Sequence, residues 1–325
     1  MKGAFVAFVL ASCLCSARTF AQGLSGFEAS RTLREALVRG GFEDAIRTGR
    51  GADLDRGLTS SAFAKSATVF VAGYYFEDEL DQRRRLGRLH VSLYDGRRNR
   101  WVHNDDVIAE AGRRGLDVGG SVLDVVISEK VVLLDTHATP SAGQTLVMDR
   151  SLHLLSSLSG FHARPTSDGS IWYFGNMTHF ADTHQETLKF FDLKRHAESE
   201  IFPGSALSAV ATSYEQQIKA IFASYPEFQT ASTFDRTITS VMERDARLSF
   251  LVQYGSNYLE NKRVTAPTFV TIARCDRRRD SSKWSCAESE LETFARQVGV
   301  TPSKDRNGRY DTRTVEALIR NALDR

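Results

Sequence analysis

The sequence predicts a mainly β protein whose core repeats a four-stranded unit about four times. Three stretches share one order: a strand, a loop, a strand that ends in aspartate, a tight turn and a short returning strand. The closing aspartates are Asp95, Asp149 and Asp192, spaced 54 and 43 residues apart. Repeats of about 40–50 residues with four strands each are typical of propeller blades. The pattern favours a propeller-like repeat, and a β-sandwich is the alternative because it also uses short, regularly spaced strands.

Composition and periodicity divide the 325 residues into four segments. The β core is flanked by helical segments, with a further helix predicted inside it where apolar residues recur at helical spacing. The predicted segments are a signal peptide at 1–21, a helix and linker at 22–61, the β core at 62–290 with a helical insertion at 206–225, and a helical tail at 291–325.

The first residues have the features of an export signal. Lys2 precedes an apolar run from Ala4 to Leu14, which is too short for a membrane-spanning helix, and small residues follow up to Ala21. The stretch ending in Cys13 also resembles the lipobox of bacterial lipoproteins, so lipid attachment at Cys13 is the alternative. We expect an exported protein, periplasmic or extracellular, without a transmembrane segment in the mature chain.

Removing residues 1–21 changes the balance of charge and of cysteines. Lys2 and Arg18 leave with that segment, so 42 basic residues become 40 against 40 acidic ones. A chain without net charge gives no overall electrostatic argument for nucleic-acid binding. Cys275 and Cys286 are the remaining cysteines and predict a disulfide in an oxidising compartment. A zinc site would need two more ligands nearby, so neither metal nor cofactor is expected.

One strand carries a resemblance to a known class of repeats. Asp168-Gly-Ser-Ile-Trp-Tyr-Phe-Gly175 resembles the "DGxIWxG" strand of bacterial propeller repeats, such as the NHL-like and sensor-associated families. The resemblance covers eight residues. It implies that Asp168 and Gly169 shape a hairpin turn and that Trp172 fills the core between blades. It implies a fold and no active site.

The tail also carries a resemblance. The stretch from Asn307 to Ala317 resembles a segment of peptidoglycan-binding repeats, although it lacks their closing Phe-Gln. This resemblance implies cell-wall binding through the tail. The alternative is a pair of helices that pack on the edge of the β core.

Two Asp-Thr-His segments form the best polar constellation in the sequence. They contain Asp135 with His137 and Asp182 with His184, and His179 lies close to the second segment. Imidazole and carboxylate groups suit acid–base chemistry or a transition metal, and equivalent ends of neighbouring blades can converge. The alternative is a strand-end repeat in which Asp and Thr bond the local backbone. We take these five residues as a candidate binding site.

The sequence contains no Gly-x-Ser-x-Gly elbow, no His-Glu-x-x-His and no phosphate-binding glycine loop. Catalytic residues therefore stay unassigned. We predict a non-enzymatic binding or scaffold module for an envelope or extracellular protein or glycan. The alternative is a carbohydrate-active hydrolase or lyase, whose paired carboxylates leave no short motif.

Arg277-Arg-Arg279 is expected to form a charged, exposed hairpin tip.

Overall fold

The computed structural model describes thirteen segments of the chain, and the predicted signal peptide and N-terminal helix lie outside them. The described segments are 60–66, 69–76, 88–95, 100–104, 107–116, 121–139, 142–175, 186–203, 209–224, 235–255, 268–277, 283–305 and 309–325. Within them the chain is mainly β, with fifteen strands and four helices.

The strands are named in chain order and pair antiparallel with their neighbours. They are β1 (Ser60–Ser66), β2 (Val69–Phe76), β3 (Arg88–Asp95), β4 (Arg100–Asn104), β5 (Ser121–Ile127), β6 (Val131–Thr139), β7 (Ala142–Asp149), β8 (Leu154–Pro165), β9 (Ile171–Gly175), β10 (Leu188–Asp192), β11 (Ala197–Phe202), β12 (Asp235–Arg244), β13 (Arg247–Gly255), β14 (Phe269–Arg277) and β15 (Trp284–Glu290). They form three sheets: β1 to β4, β5 to β11, and β12 to β15, each a meander in sequence order.

The long strand β8 divides the seven-stranded sheet into two four-stranded units. Its first half, from Leu154 to Ser159, pairs with β7, and its second half, from Gly160 to Pro165, pairs with β9. The register shifts between Phe161 and Arg164, where His162 adopts a left-handed backbone conformation with φ of 54°. The chain therefore contains four successive four-stranded units, which confirms the predicted mainly β, propeller-like repeat. Units 1 to 4 begin at β1, β5, the second half of β8, and β12.

Successive units are joined by shared apolar clusters. Alternating residues on each strand point to opposite faces, so each unit can contact the one before and the one after it. Leu93 of unit 1 packs with Leu146 of unit 2. Leu133 of unit 2 shares a cluster with Tyr173 of unit 3. Units 3 and 4 share a third cluster. The core is thus a series of inter-unit layers.

Four helices cover the faces and ends of the units. They are α1 (Val107–Arg113), α2 (Ala209–Ala223), α3 (Leu291–Val298) and α4 (Thr312–Asp324). Helix α1 belongs to the cluster of units 1 and 2, and α2 closes the cluster of units 3 and 4 with Tyr214, Ile218 and Phe222. None of the helices in the described segments is long and apolar enough to span a membrane.

The tail helices α3 and α4 bury the second face of unit 4. Leu318 and Ile319 of α4 share a cluster with Leu251 of β13 and Ile272 of β14. The adjacent residues Phe250, Val252 and Ala273 belong to the cluster on the other face, between units 3 and 4. The inserted helix and the helical tail are therefore as predicted. The first tail helix, α3, begins at Leu291, directly after the last residue of β15.

A disulfide joins the last two strands of unit 4. Cys275 of β14 and Cys286 of β15 lie directly opposite each other and are bonded, which confirms the predicted bridge. Loop-closure arguments for so short a segment give a contribution of about 2–3 kcal/mol to the free energy of unfolding. The bridge fixes the register of the edge strand.

Candidate functional site

Units 2 to 4 have two different ends. Tight turns join strands at one end, which we call the turn end, as at Asp168–Gly169 and Asp245–Ala246. The strands that flank residues 176–185, 204–234 and 256–267 start and finish at the opposite end, which we call the loop end. Three longer connections of units 3 and 4 therefore leave from a single side, whereas the connection of unit 2 at that side, between Thr139 and Ala142, is short. A row of polar side chains, which we call the polar string, runs from Asp124, Asp135 and Arg164 to Glu186 and Arg236 near that side.

In unit 2, this string is centred on a buried carboxyl group. Asp135 is 3% exposed, and its Oδ1 accepts a hydrogen bond of 2.5 Å from the Thr145 hydroxyl. Its Oδ2 is buried and has no hydrogen-bond partner among the described residues. Asp124 lies directly opposite across β5 and β6, and its Oδ2 accepts a bond of 3.0 Å from the Arg164 guanidinium. Asp135 and Asp124 therefore lie on the same face of the sheet, and Arg164 is the cation beside them.

Burial determines the protonation of this pair. Removal from water raises the pKa of Asp135 to about 6, the Thr145 hydrogen bond lowers it, and the charge of Asp124 raises it further. The pKa of the neighbouring His162 is lowered, first by burial and then by the charge of Arg164. Near neutral pH, the buried carboxylate therefore carries a charge that its surroundings only partly stabilise.

Between units 3 and 4, the string continues through a clamp made by Glu186 and Arg236. Arg236 is 4% exposed and donates from Nε to the Glu186 carbonyl at 2.9 Å. The Glu186 amide donates to the Arg236 carbonyl at 3.0 Å, and the Glu186 carboxylate accepts from the Ile238 amide at 2.5 Å. These bonds tie the segment before β10 to the start of β12.

A tyrosine–glutamate tie recurs in units 3 and 4. The Tyr254 hydroxyl of β13 donates to Glu288 of β15 at 2.7 Å, and the Tyr173 hydroxyl of β9 donates to Glu198 of β11. Both glutamates belong to an Ala-Glu-Ser-Glu sequence in the last strand of their unit. Burial raises the pKa of both tyrosines above the ordinary value, so both hydroxyls stay protonated donors.

The structure places the five residues of the sequence-based site as follows. Asp135 lies in the buried string described above. His137 lies near the end of β6, where its backbone pairs with Ser121 and Gly143 at the loop end. His179, Asp182 and His184 lie outside the described residues, so convergence of the two Asp-Thr-His segments stays a prediction.

The polar string also includes residues that the sequence analysis did not select. Asp124, Arg164 and Arg236 lie within strands, and Glu186 lies two residues before β10. A charge inside an otherwise apolar strand is the signal that could have indicated them, because charged side chains are rarely buried without a partner. The pairing of Asp124 with Arg164 joins residues 40 positions apart, so no local motif reveals it.

The "DGxIWxG"-like strand occupies the turn end. Asp168 accepts from the Ser170 amide, and Gly169 has φ of 89°. The left-handed backbone of Gly169 favours glycine for conformation, whereas a Cβ atom there would lie 2.5 Å from the flexible end of the exposed Lys130 side chain, which can move aside. The Lys130 amine donates to the Asp168 carbonyl at 2.7 Å. Trp172 is 8% exposed in the cluster of units 3 and 4.

Asp168 also forms an ion pair with Arg277 of unit 4. The Arg277 side chain is 15% exposed, and its guanidinium lies 4.8 Å from the centre of the Phe190 ring. The expectation that Arg277 belongs to an exposed charged tip is therefore wrong. The motif turn contacts units 2, 3 and 4 together, through Lys130, its own strands and Arg277.

An open cavity of about 540 Å³ lies at the turn end of unit 2, beside α1. Its lining residues are mostly polar or charged. They are Asn104, Glu110, Arg113, Arg114, Ser151, Leu152 and His153. Across the described segments, no group of three histidine, cysteine, aspartate or glutamate side chains has the arrangement of a metal site.

Comparisons with known proteins give no family. No family model matches the chain, and no curated protein matches it. Solved structures that align with it include a thermostable family-43 glycoside hydrolase, with 9% identity over 71% of this chain and 72% of that chain and a TM-score of 0.27. A GH43 endo-arabinanase from Bacillus licheniformis aligns with 10% identity over 78% of this chain and 77% of that chain, with a TM-score of 0.27.

Drosophila Plexin A, solved in complex with Semaphorin 1b, aligns with 8% identity over 71% of this chain and 42% of that chain, with a TM-score of 0.32. At these identities and TM-scores, the likenesses carry no argument about activity or ligand. The fold is stated from the strands of this chain alone.

Proposed function

We propose that this protein is an exported, non-enzymatic binding module whose loop end holds a protein or glycan of the envelope or extracellular space. One observation carries the proposal: the three longer connections of units 3 and 4 start and finish at one side, and the chain segments that follow two of them are bonded to each other. Glu186 and Arg236 fix the ends of these two connections, and the bond between Thr145 and Asp135 joins β7 to β6 in the neighbouring unit 2. Loops on a rigid scaffold are the usual carriers of binding.

The candidate residues from the sequence belong to this proposal. His137 lies at the loop end, and residues 176–185, which contain His179, Asp182 and His184, connect β9 to β10 at the same side. Imidazole and carboxylate side chains provide both donors and acceptors for a polar ligand. We assign them the contact with ligand, and we assign Asp135 the support beneath it.

Binding is favoured over catalysis because the described ionisable groups at this end bond internally. Asp135 and Arg236 are 3% and 4% exposed. Glu288 accepts bonds from both Tyr254 and Thr271. A glycosidase needs an acid and a base that both reach the substrate, about 5–10 Å apart. The hydrolase or lyase alternative would rely on Asp124, whose side chain is 40% exposed, together with the histidines.

Export is part of the proposal. The disulfide between Cys275 and Cys286 fits an oxidising compartment, and residues 1–21 have the pattern of a cleaved signal. N-terminal sequencing of the protein isolated from cells is expected to begin near residue 22. A lipid-modified N-terminus at Cys13 would support the lipoprotein alternative instead.

The binding function can be tested with the mature chain, residues 22–325, and a panel of soluble neutral and acidic polysaccharides. Affinity electrophoresis reports binding, and release of reducing ends reports hydrolysis. In parallel, a photo-crosslinking amino acid replaces Tyr258, between β13 and β14, and in a control replaces Arg195 at the turn end. We expect either retardation by a polysaccharide without new reducing ends, or a discrete protein crosslink from position 258 alone.

Variants assign the site. The changes His137→Ala and His184→Ala are expected to weaken retardation or crosslinking, whereas His196→Asn, in the turn between β10 and β11 at the turn end, leaves both unchanged. Reducing ends released by the wild type and lost in Asp124→Asn would support the hydrolase alternative. Absence of retardation together with equal crosslinking from positions 258 and 195 would overturn the proposal.

A further inference from the structure

We propose that the cavity beside α1 is a second binding site, for a small ligand that carries a carboxylate or phosphate group. It lies at the turn end of unit 2, between the end of β4, helix α1 and the turn between β7 and β8. Its volume of about 540 Å³ is in the range of small-molecule sites. The site is on the opposite side of unit 2 from the proposed loop-end surface, so it does not depend on the function proposed there.

Two arginines at this cavity carry positive charge without a matching carboxylate. Arg113 and Arg114 are both exposed. Arg114 donates to the Leu155 carbonyl at 3.3 Å, and in the part of the chain that the structure describes neither arginine pairs with an acid. Arg164 and Arg277, by contrast, form ion pairs with Asp124 and Asp168. A guanidinium presents several N–H donors in a plane that matches carboxylate and phosphate oxygens.

The end of helix α1 does not need these arginines. Its last carbonyl groups are already satisfied by the backbone, because the Ala111 carbonyl accepts from the Arg114 and Leu116 amides at 2.9 Å. The Gly112 carbonyl accepts from the Gly115 amide at 3.1 Å. The Ala111 and Gly112 carbonyls therefore do not need an arginine side chain as a cap.

The acidic groups near the cavity are engaged by donors from the protein. Glu110 accepts from the Asn104 side chain at 2.6 Å and from the Leu154 amide at 3.0 Å. Asp149 accepts from the Ser151 amide at 2.7 Å and from the His153 amide at 3.0 Å. Since these bonds stabilise the carboxylates in place, the arginines remain the groups available to an incoming anion.

The same bonds make the cavity preformed. Glu110 joins α1 to the start of β8, and Asn104 also donates to the Leu152 carbonyl at 2.9 Å. Leu152 is fully buried and has a left-handed backbone with φ of 62°, so the turn is held in one conformation. A rigid site loses less entropy on binding.

The test uses isothermal titration of the mature chain at about 20 mM salt, because low ionic strength preserves exposed electrostatic interactions. The probes are inorganic phosphate, D-glucuronate and, as the uncharged match, D-glucose. We expect phosphate or glucuronate to bind and glucose not to bind. The stronger of the two anions identifies the source of the charge.

The test variant is the double change Arg113→Gln with Arg114→Gln. The matched control is Arg313→Gln with Arg320→Gln, which removes the same charge from exposed positions of α4. Loss of two charge-assisted contacts is expected to weaken anion binding at least about tenfold, while the control stays within about twofold. Thermal unfolding of both variants is expected to match the wild type, because all four side chains are exposed.

Three results would overturn the proposal. The first is absence of phosphate and glucuronate binding at concentrations up to about 50 mM, a range that would detect even millimolar dissociation constants. The second is an equal loss of binding in the control variant, which would show nonspecific attraction. The third is retained affinity in the Arg113→Gln, Arg114→Gln variant. Crosslinking from position 258 is expected to be unchanged in that variant, so failure at one site is distinguishable from failure at the other.

Discussion

Asp135 and Asp124 face each other across β5 and β6, with Arg164 as the cation beside them. Asp124 is bonded to that cation and partly exposed, whereas Asp135 is buried with one oxygen unpartnered. Two carboxylates opposite each other repel. The single guanidinium of Arg164 bonds directly to Asp124 and favours ionised Asp135 only through its charge. The ionised Asp135 side chain therefore lowers the free energy of unfolding above about pH 6.

This cost predicts an unusual dependence of stability on pH. The pKa of Asp135 is raised to about 6 in the folded protein and is near 3.9 in the unfolded chain. The folded state binds more protons between these values, so the Asp135 contribution to the free energy of unfolding falls as pH rises from about 4 to about 6, then stays constant. We expect Asp135→Asn to be more stable than the wild type at pH 8, by up to about 2–3 kcal/mol.

Urea unfolding at pH 4, 5, 6 and 8 measures the difference between Asp135→Asn and the wild type. The other titrating groups are common to both proteins, so the difference isolates this residue. A stability difference that is independent of pH would contradict the assignment. The amide retains an oxygen that can accept from Thr145, so the variant keeps that hydrogen bond.

Asp168 has a lowered pKa, in contrast to Asp135, so its ionised form stabilises the folded protein. Burial opposes its ionisation, but hydrogen bonds from Thr166 and the Arg277 guanidinium hold its pKa below the usual range. Its contribution is present above pH 4 and is lost as pH falls below that value. Because Asp168 is 43% exposed, we expect Asp168→Asn to cost about 1–2 kcal/mol at pH 7.

A double-mutant cycle with Arg277→Gln measures the coupling between the two side chains. We expect the coupling to be positive at pH 7 and to approach zero at pH 3. Independent, additive effects of the two changes at pH 7 would show that the ion pair does not join units 3 and 4.

At the scale of the element, the tie from the second strand to the fourth strand gives units 3 and 4 the same internal support. Tyr173 and Tyr254 are fully buried and each places its hydroxyl on a glutamate two strands away. The bond crosses the intervening strand, β10 or β14, and so holds three strands of a unit together. This shared geometry explains why the Ala-Glu-Ser-Glu sequence occurs in both last strands.

The changes Tyr173→Phe and Tyr254→Phe are each expected to lower the free energy of unfolding by about 1–3 kcal/mol. Each change removes a bond to a charged acceptor and leaves the ring in place. Tyr310→Phe is the matched control, because its hydroxyl bonds to Glu292 on the exposed surface of the tail. Denaturant unfolding followed by circular dichroism measures all three. If Tyr310→Phe lowered the free energy of unfolding as much as Tyr254→Phe does, the buried tyrosine–glutamate bonds would have no special role in stability.

Several elements could be predicted from the sequence because their signals are local. The closing aspartates and the helical spacing of α2 and of the tail are patterns that each lie within a few neighbouring residues. Arg277 could not be placed, because its partner Asp168 is 109 positions away. Glu186 and Arg236 were missed for the same reason, since their bonds join residues 50 positions apart. Long-range partners leave no pattern in a local stretch.

At the scale of the whole molecule, unit 4 has an apolar layer on both faces. One layer faces unit 3, and the other is covered by α3 and α4. Leu318 and Ile319 are fully buried in that second layer, so the apolar side of α4 is already occupied. The tail segment that resembles peptidoglycan-binding repeats therefore contributes residues to the apolar core of this protein.

A chain truncated after Gly299 is expected to lose cooperative folding. Burial of a large aliphatic side chain contributes about 1.5–3 kcal/mol, and α4 covers several of them, against a total stability of about 5–15 kcal/mol. Sedimentation, dye binding to exposed apolar surface and thermal unfolding measure the result. A monomeric truncated chain with a cooperative transition and no dye binding would show that the tail is dispensable.

Strand β8 serves as the last strand of unit 2 and the first strand of unit 3. Its partners β7 and β9 immediately precede and follow it in the chain, so pairing needs only short-range loop closure. As the chain emerges from the ribosome or a translocation channel, unit 2 is complete when half of β8 has appeared, and the other half is already a template for unit 3. Neither unit can be duplicated or deleted without dividing a strand, so during evolutionary rearrangement of the gene these two repeats must move as one.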